Sequence, residues 1–245
     1  MIKFFRSIRK SLLMENKTGK YIKYAIGEII LVVIGILIAL SINNWNEGRK
    51  NAIKESQFLK SFKADLLANK AELNRVIEKT EITFNVSDSI LKLQRGELKD
   101  FDSKTFISCL MNATGFTVYK TQEGTVQDIL GSGSLDIIKS DSIRLAVGSW
   151  VANLKDIREW EKLDKTATDK YYEHLIQHVD IYKFEGEESL TLEDNTKEFL
   201  LNDRMFLNRI ADRILPPRVL NFMYNEEVNK LERLLNLIDS ELENN

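Results

Sequence analysis

Residues 24–45, YAIGEIILVVIGILIALSINNW, are the stretch whose reading decides how this chain is built. The uninterrupted apolar run inside it, Ile29 to Leu40, is twelve residues. As a helix it rises about 18 Å at roughly 1.5 Å per residue, well short of the about 30 Å hydrocarbon core of a bilayer. A spanning helix therefore recruits Tyr24 to Glu28 on one side and Ser41 to Trp45 on the other, which puts Glu28 at the hydrocarbon boundary. An ionised carboxylate costs about 3 kcal/mol at the bilayer centre and less toward its edge. Glu28 must reach water, pair with a cation or face another helix. Gly27, Leu31, Gly35 and Ala39 recur every four residues, and Gly35 with Ala39 is a small-xxx-small pair that permits close helix approach. The expected membrane contact face is Gly27, Glu28, Leu31, Gly35 and Ala39, against a helix of another protein or a second copy. The plainer alternative is an interfacial Glu28 beside incidental glycines.

Charge orients the span. Lys3, Arg6, Arg9, Lys10, Lys17, Lys20 and Lys23 precede it against one acid, Glu15, whereas its far flank opens with Asn43, Asn44 and Trp45. Lys and Arg near a span favour the cytoplasmic side. The expected division is a basic cytoplasmic leader over 1–20, a transmembrane helix over 21–45 and an exported part over 46–245. Tyr21, Tyr24 and Trp45 suit the two aromatic belts. Met1, Phe4, Phe5, Ile8 and Leu12 recur at helical spacing within the leader, as in a helix lying on an anionic leaflet, although a solvated basic tail explains the same charges. The competing account is a cleaved signal peptide followed by a secreted helical domain, because Ala39-Leu40-Ser41 has small residues at cleavage spacing. The long leader and the acid just ahead of the apolar run argue against it.

The near-neutral total hides two unlike parts. Of 35 Lys and Arg and 37 Asp and Glu, residues 1–50 hold nine and three, leaving 26 and 34 for residues 51–245. The balances are +6 and −8. An acidic exported part lacks the clustered positive charge of a nucleic-acid binder. The single cysteine, Cys109, excludes an internal disulfide and, within Phe106 to Leu110, reads as a small buried apolar residue.

The exported part reads as helical. No Gly or Pro stands between Gly48 and Gly96, and Phe58, Leu59, Phe62, Leu66, Leu73, Val76, Ile77, Phe84 and Leu91 recur mostly at helical intervals. This predicts one long amphipathic helix, kinked near Thr80 to Thr83, that continues the span outward. A shorter helix capped by Asp102 or Ser103 follows, and Phe116 to Tyr119 is irregular or a short strand. A second long helix is expected from about Asp141 to Tyr182, with Ile143, Val147, Trp150, Leu154, Ile157, Tyr171, Leu175 and Val179 on one stripe and a weak polar middle at Asp164 to Asp169. Asn195 with Glu198 resembles a capping arrangement for a helix ending before Pro216 and Pro217. Tyr224, Val228, Leu231, Leu235, Ile238 and Leu242 then alternate by four and three. The expected fold is all-α, a single N-terminal transmembrane helix continuing into an elongated antiparallel helical bundle.

Met1 to Glu47, and above all YAIGEIILVVIGILIAL with INNWNE, closely resembles the opening of a large uncharacterised family of single-span membrane proteins common in Bacteroidota. ILGSGSLDII, Ile129 to Ile138, resembles that family's second recurring segment. The resemblance implies a mostly helical protein anchored in the bacterial inner membrane, its C-terminal domain periplasmic. It supplies no catalytic residues.

Candidate chemistry is thin. Gly131-Ser132-Gly133 lacks the third glycine of a dinucleotide loop and the Gly-Lys of a Walker loop, so it reads as a turn. His174 and His178 share a helix face at i, i+4 and could meet at a metal, but the intervening Leu175-Ile176-Gln177 lacks the Glu of a zincin helix and Lys170 stands one turn before. Two partly exposed histidines are the expected reading, with no metal and no cofactor. Trp150, Trp160, Tyr171 and Tyr172 could line an apolar pocket, though aromatics at helical spacing are more often core. The acidic pairs Glu187-Glu188 and Glu193-Asp194 read as solvated loop. No nucleophile, acid/base pair or triad can be assembled, so no enzyme is expected. The function class that fits is a structural or accessory interaction subunit of an envelope complex, with the lipid bilayer and a transmembrane or periplasmic protein, or a second copy, as partners. A ligand-sensing helical module acting through a membrane partner is the alternative.

Overall fold

The structure, a computed structural model, describes residues 18–184, 192 and 195–244. Residues 1–17 of the basic leader and both acidic pairs of the 185–194 segment lie outside the described residues, and the last three leader residues, 18–20, already belong to the first helix. Two compact units are present, Met1–Glu55 and Ser56–Asn245. Helices account for nearly all of the regular structure, and no strand occurs among the described residues. They are α1 (Thr18–Gln94), α2 (Ser103–Ala113), α3 (Gly124–Ser132), α4 (Asp141–Gly148), α5 (Trp150–Asn153), α6 (Lys155–His178), α7 (Thr196–Asn202), α8 (Arg204–Asp212) and α9 (Leu215–Asn244), with short 3-10 turns at Leu135–Ile137 and Ile181–Phe184.

In the first unit α1 is apolar and exposed from Ile22 to Ile42. In the second unit, α1 buries residues 59, 62, 66, 69, 73, 76, 80, 83, 87 and 90, alternating by three and four along its length. This is the period that keeps one helical stripe against neighbouring helices. Phe84 and Leu91, expected on the stripe, are only half-buried, and Ile90 and Leu93 take the core positions. No break interrupts the helix at Thr80 to Thr83. The Thr80, Thr83 and Ser87 hydroxyls donate to carbonyls one turn back, at 2.9, 3.1 and 2.8 Å, so each satisfies itself within the helix.

Two apolar clusters result. One joins Phe58 to Val76 of α1 with α3, α4, α5, the start of α6 and Leu220 to Ile238 of α9. The other joins Ile90 and Leu93 with α2, the end of α6, Leu200 of α7, and Phe206 and Ile210 of α8. Each fully buried Leu, Ile or Phe contributes about 1.5–3 kcal/mol. The expected α9 stripe faces the first cluster as read from sequence, with Tyr224, Leu231, Leu235 and Ile238 buried.

Three boundaries differ from the sequence reading. The helix expected from Asp141 to Tyr182 is divided at Gly148–Ser149 and at Leu154 and ends at His178, yet all eight residues of its stripe are buried. Asn195 does not cap with its side chain but adopts a left-handed φ of 72°, and the helix that follows stops at Asn202. Asp203 starts a new one, accepting from the N–H groups of Met205 and Phe206. Pro216 and Pro217 lie in the first turn of α9, where a missing N–H costs nothing.

Residues 114–123 are irregular. Gly115 allows their close approach to α1, because an added Cβ would collide with Thr83 Oγ1 and lie 2.9 Å from the Asn112 carbonyl. Gly131 sits inside α3 with nothing within 4 Å of an added Cβ. Chemical denaturation should therefore show Gly115→Ala destabilised by about 1–3 kcal/mol and Gly131→Ala stabilised by about 0.5–1 kcal/mol. Equal effects of the two would contradict the close approach at Thr83.

Candidate functional site

The face foreseen on the apolar helix is open. Gly27, Leu31, Gly35 and Ala39 are exposed, Leu31 by 69%, and Glu28 is half-buried. A Cβ added at Gly27 or Gly35 would meet nothing within 4 Å.

The four aromatics weighed as a pocket do not converge. Trp150 packs edge-on against Phe62 at 5.8 Å in the first cluster, whereas Tyr171 lies against Phe206 at 6.2 Å in the second. Trp160 flanks the first cluster and Tyr172 is exposed. Gly133, at φ 67°, ends α3 in the left-handed conformation expected of a turn, while Gly131 and Ser132 remain helical. Cys109 is buried, and that burial pushes its thiol pKa up.

A charged layer unforeseen in sequence stands in the second unit. Arg213, fully buried in the joint between α8 and α9, pairs with Asp164 of α6 at 2.5 Å. Its remaining N–H groups donate to the carbonyls of Ala113 at 3.0 Å, Gly115 at 2.6 Å and Asp164 at 3.2 Å. The guanidinium therefore satisfies the end of α2 and the start of the irregular segment. Burial pushes the Asp164 carboxyl pKa up, and the Arg213 charge and hydrogen bond oppose it. One turn before, Glu161 accepts from the Tyr119 N–H at 2.8 Å, the Tyr224 hydroxyl at 2.9 Å and Arg158 at 3.0 Å. Asn69 of α1 pairs reciprocally with the backbone of Gln122, at 2.9 and 2.6 Å. These contacts supply the partners that buried irregular backbone needs. A sequence signal existed: Leu154, Ile157, Glu161, Asp164, Thr168, Tyr171 and Leu175 keep an unbroken three-four rhythm. The polar middle is a set of core positions occupied by polar residues.

The histidines gain a neighbour that the sequence reading missed. His174 and His178 occupy the last two turns of α6, their ring centroids 4.8 Å apart. Asp203 meets them from the N-cap of α8, its Oδ2 2.5 Å from His174 Nε2. The Met205 N–H donates to Oδ1 at 3.0 Å and the Phe206 N–H to Oδ2 at 3.2 Å. Burial raises the Asp203 pKa, but these N–H groups and His174 outweigh it and hold the carboxyl below its ordinary range. One donor atom from each of the three residues falls within 4.8 Å of the others. The clue in the sequence was Asp203 itself, an N-cap residue three before Phe206, hidden by reading Asn195 to Pro216 as one helix.

Residues 28–215 match the model of a family of unknown function, DUF6090, and no curated protein and no solved structure matches the chain.

Removing the Arg213 guanidinium leaves the Asp164 carboxylate buried and unpaired, a loss of about 3–5 kcal/mol. Arg213→Met should lose that stability in denaturant unfolding, and the double variant R213M/D164L should recover part of it. A double variant less stable than R213M would contradict the pairing.

Proposed function

The chain belongs to DUF6090, a family of unknown function, and from that premise we propose that it is a single-pass protein of the bacterial inner membrane. Its leader is cytoplasmic, residues 46–245 form an elongated helical bundle in the periplasm, and the protein serves as a structural or accessory interaction subunit of an envelope complex. The observation that carries this reading is the first unit's apolar surface. From Ile22 to Ile42 the large apolar side chains are about half to two-thirds exposed, as at Ile29 (63%), Leu37 (57%) and Ile42 (61%). Contiguous apolar surface of this kind marks a membrane or protein contact, and the helix is long and apolar enough to cross a bilayer. The basic flank before it and the uncharged flank after it support the orientation.

Within the membrane, Gly27, Glu28, Leu31, Gly35 and Ala39 form the contact face. Glycine and alanine there let a second helix approach closely, and a polar group beside them gains a partner out of water. This reading assigns no catalytic role.

Carbonate-washed membranes should retain the chain at its full mass, and release into the wash or loss of residues 1–41 would overturn the anchor. In a Cys109→Ser background, single cysteines along 27–42 should crosslink most strongly at 31, 35 and 39. A flat profile would reject the contact face.

A further inference from the structure

We propose that His174, His178 and Asp203 form a binding site for a divalent first-row transition metal ion. Two imidazoles one turn apart on α6 and one carboxylate at the start of α8 present three donor atoms within 4.8 Å of one another. In a four-coordinate zinc site with metal–ligand distances of about 2.0–2.1 Å, donor atoms stand roughly 3.3 Å apart. His174 and Asp203, now hydrogen-bonded at 2.5 Å, need separate by less than about 1 Å to admit an ion between them. His178 must turn inward by up to about 1.5 Å. It is exposed, and its contacts among the described residues are ring contacts with His174 and with Phe199 at 5.0 Å, which leave it room to turn.

The surroundings suit a cation. The Asp203 carboxylate is oriented by two backbone N–H groups, the outer-shell support that fixes metal ligands. The ion would lie beside the C-terminal end of α6, whose terminal carbonyls carry partial negative charge. Of the nearby cations, Lys183 is paired with Asp180 at 2.7 Å and Lys197 with Asp100. Lys170, one turn before His174, is exposed, where water screens its repulsion.

Three protein ligands leave a fourth position for water or another small ligand, as in open rather than closed sites. His178 also lines a surface cavity of about 140 Å³ with Gln177, Asp180, Lys183 and Thr196, which gives solvent a route to that position. Two nitrogens and one oxygen favour Zn²⁺, Fe²⁺, Cu²⁺ or Ni²⁺ over Ca²⁺ and Mg²⁺, whose sites are built from oxygen.

The test is a titration of the full chain in detergent, stripped of metal, with ZnCl₂ against a chromophoric competitor, repeated for His178→Gln. Because His178 is exposed and makes no hydrogen bond to Asp203, the variant should keep the metal-free Tm of the parent. The expected result is saturation at one zinc per chain, weakened about tenfold or more in H178Q. Zinc should also raise the Tm of the parent more than that of the variant, and excess Mg²⁺ should not compete. Absence of saturable binding, or equal affinity in H178Q, would overturn the site and leave His174–Asp203 as a hydrogen bond alone.

Discussion

The second unit is organised around one buried ion pair, Arg213 with Asp164. Both side chains are almost completely removed from water. Such burial carries a desolvation penalty of several kcal/mol per ion, about 3 or more, that only close pairing and full hydrogen bonding offset. Arg213 meets that demand by reaching four acceptors in two places far apart in sequence: the Ala113 and Gly115 carbonyls, where α2 gives way to the irregular segment, and the backbone and side chain of Asp164 in α6. The pair thereby fixes where α2 ends, where the 114–123 segment runs and how the α8–α9 joint meets α6. A packing that moved α6 away from the α8–α9 joint would leave the guanidinium buried without these partners, at a cost of about 3–5 kcal/mol.

The same layer explains the irregular segment. Backbone from Gly115 to Glu123 has no helix or sheet to satisfy it, and the first turn of α3 follows it. Asn69, Asp65, Arg158 and Glu161 take over that task at Gln122, Thr125 and Tyr119. Every one of these side chains comes from a long helix. The charged groups of this layer are taken up by internal partners, and it acts as framework. The side chains with spare coordination capacity lie instead at the end of α6, where Asp203 turns a pair of helix histidines into a convergent group.

Much of the architecture was legible along the chain. The three-four alternation exposed the helices of the second unit and, for α9 and the 143–179 stripe, the buried residues themselves. It failed where position and residue type disagreed. Asp164 and Thr168 looked like a weak polar middle because they are polar, although their spacing placed them in the core. Asn195 has the side chain of a cap but a left-handed backbone, while Asp203 three positions before an aromatic does the capping. Phe84 and Leu91 gave way because they stand one position past the buried Thr83 and Ile90, and the core row runs through the polar Thr80, Thr83 and Ser87 instead.

What the sequence by itself determined is the segment that has nothing to pack against. An exposed apolar helix is read from its own residues, since no other described part of the chain covers it. The same holds for helical periodicity, which is local. Only the tertiary structure decided which polar residues meet. Arg213 and Asp164 are 49 positions apart and His174 and Asp203 are 29 apart, and no local rule pairs them. Their meeting depends on loop lengths and on the crossing of helices, because an ion pair or a ligand set is a property of distance in space, and spacing along one helix constrains only the residues that share it.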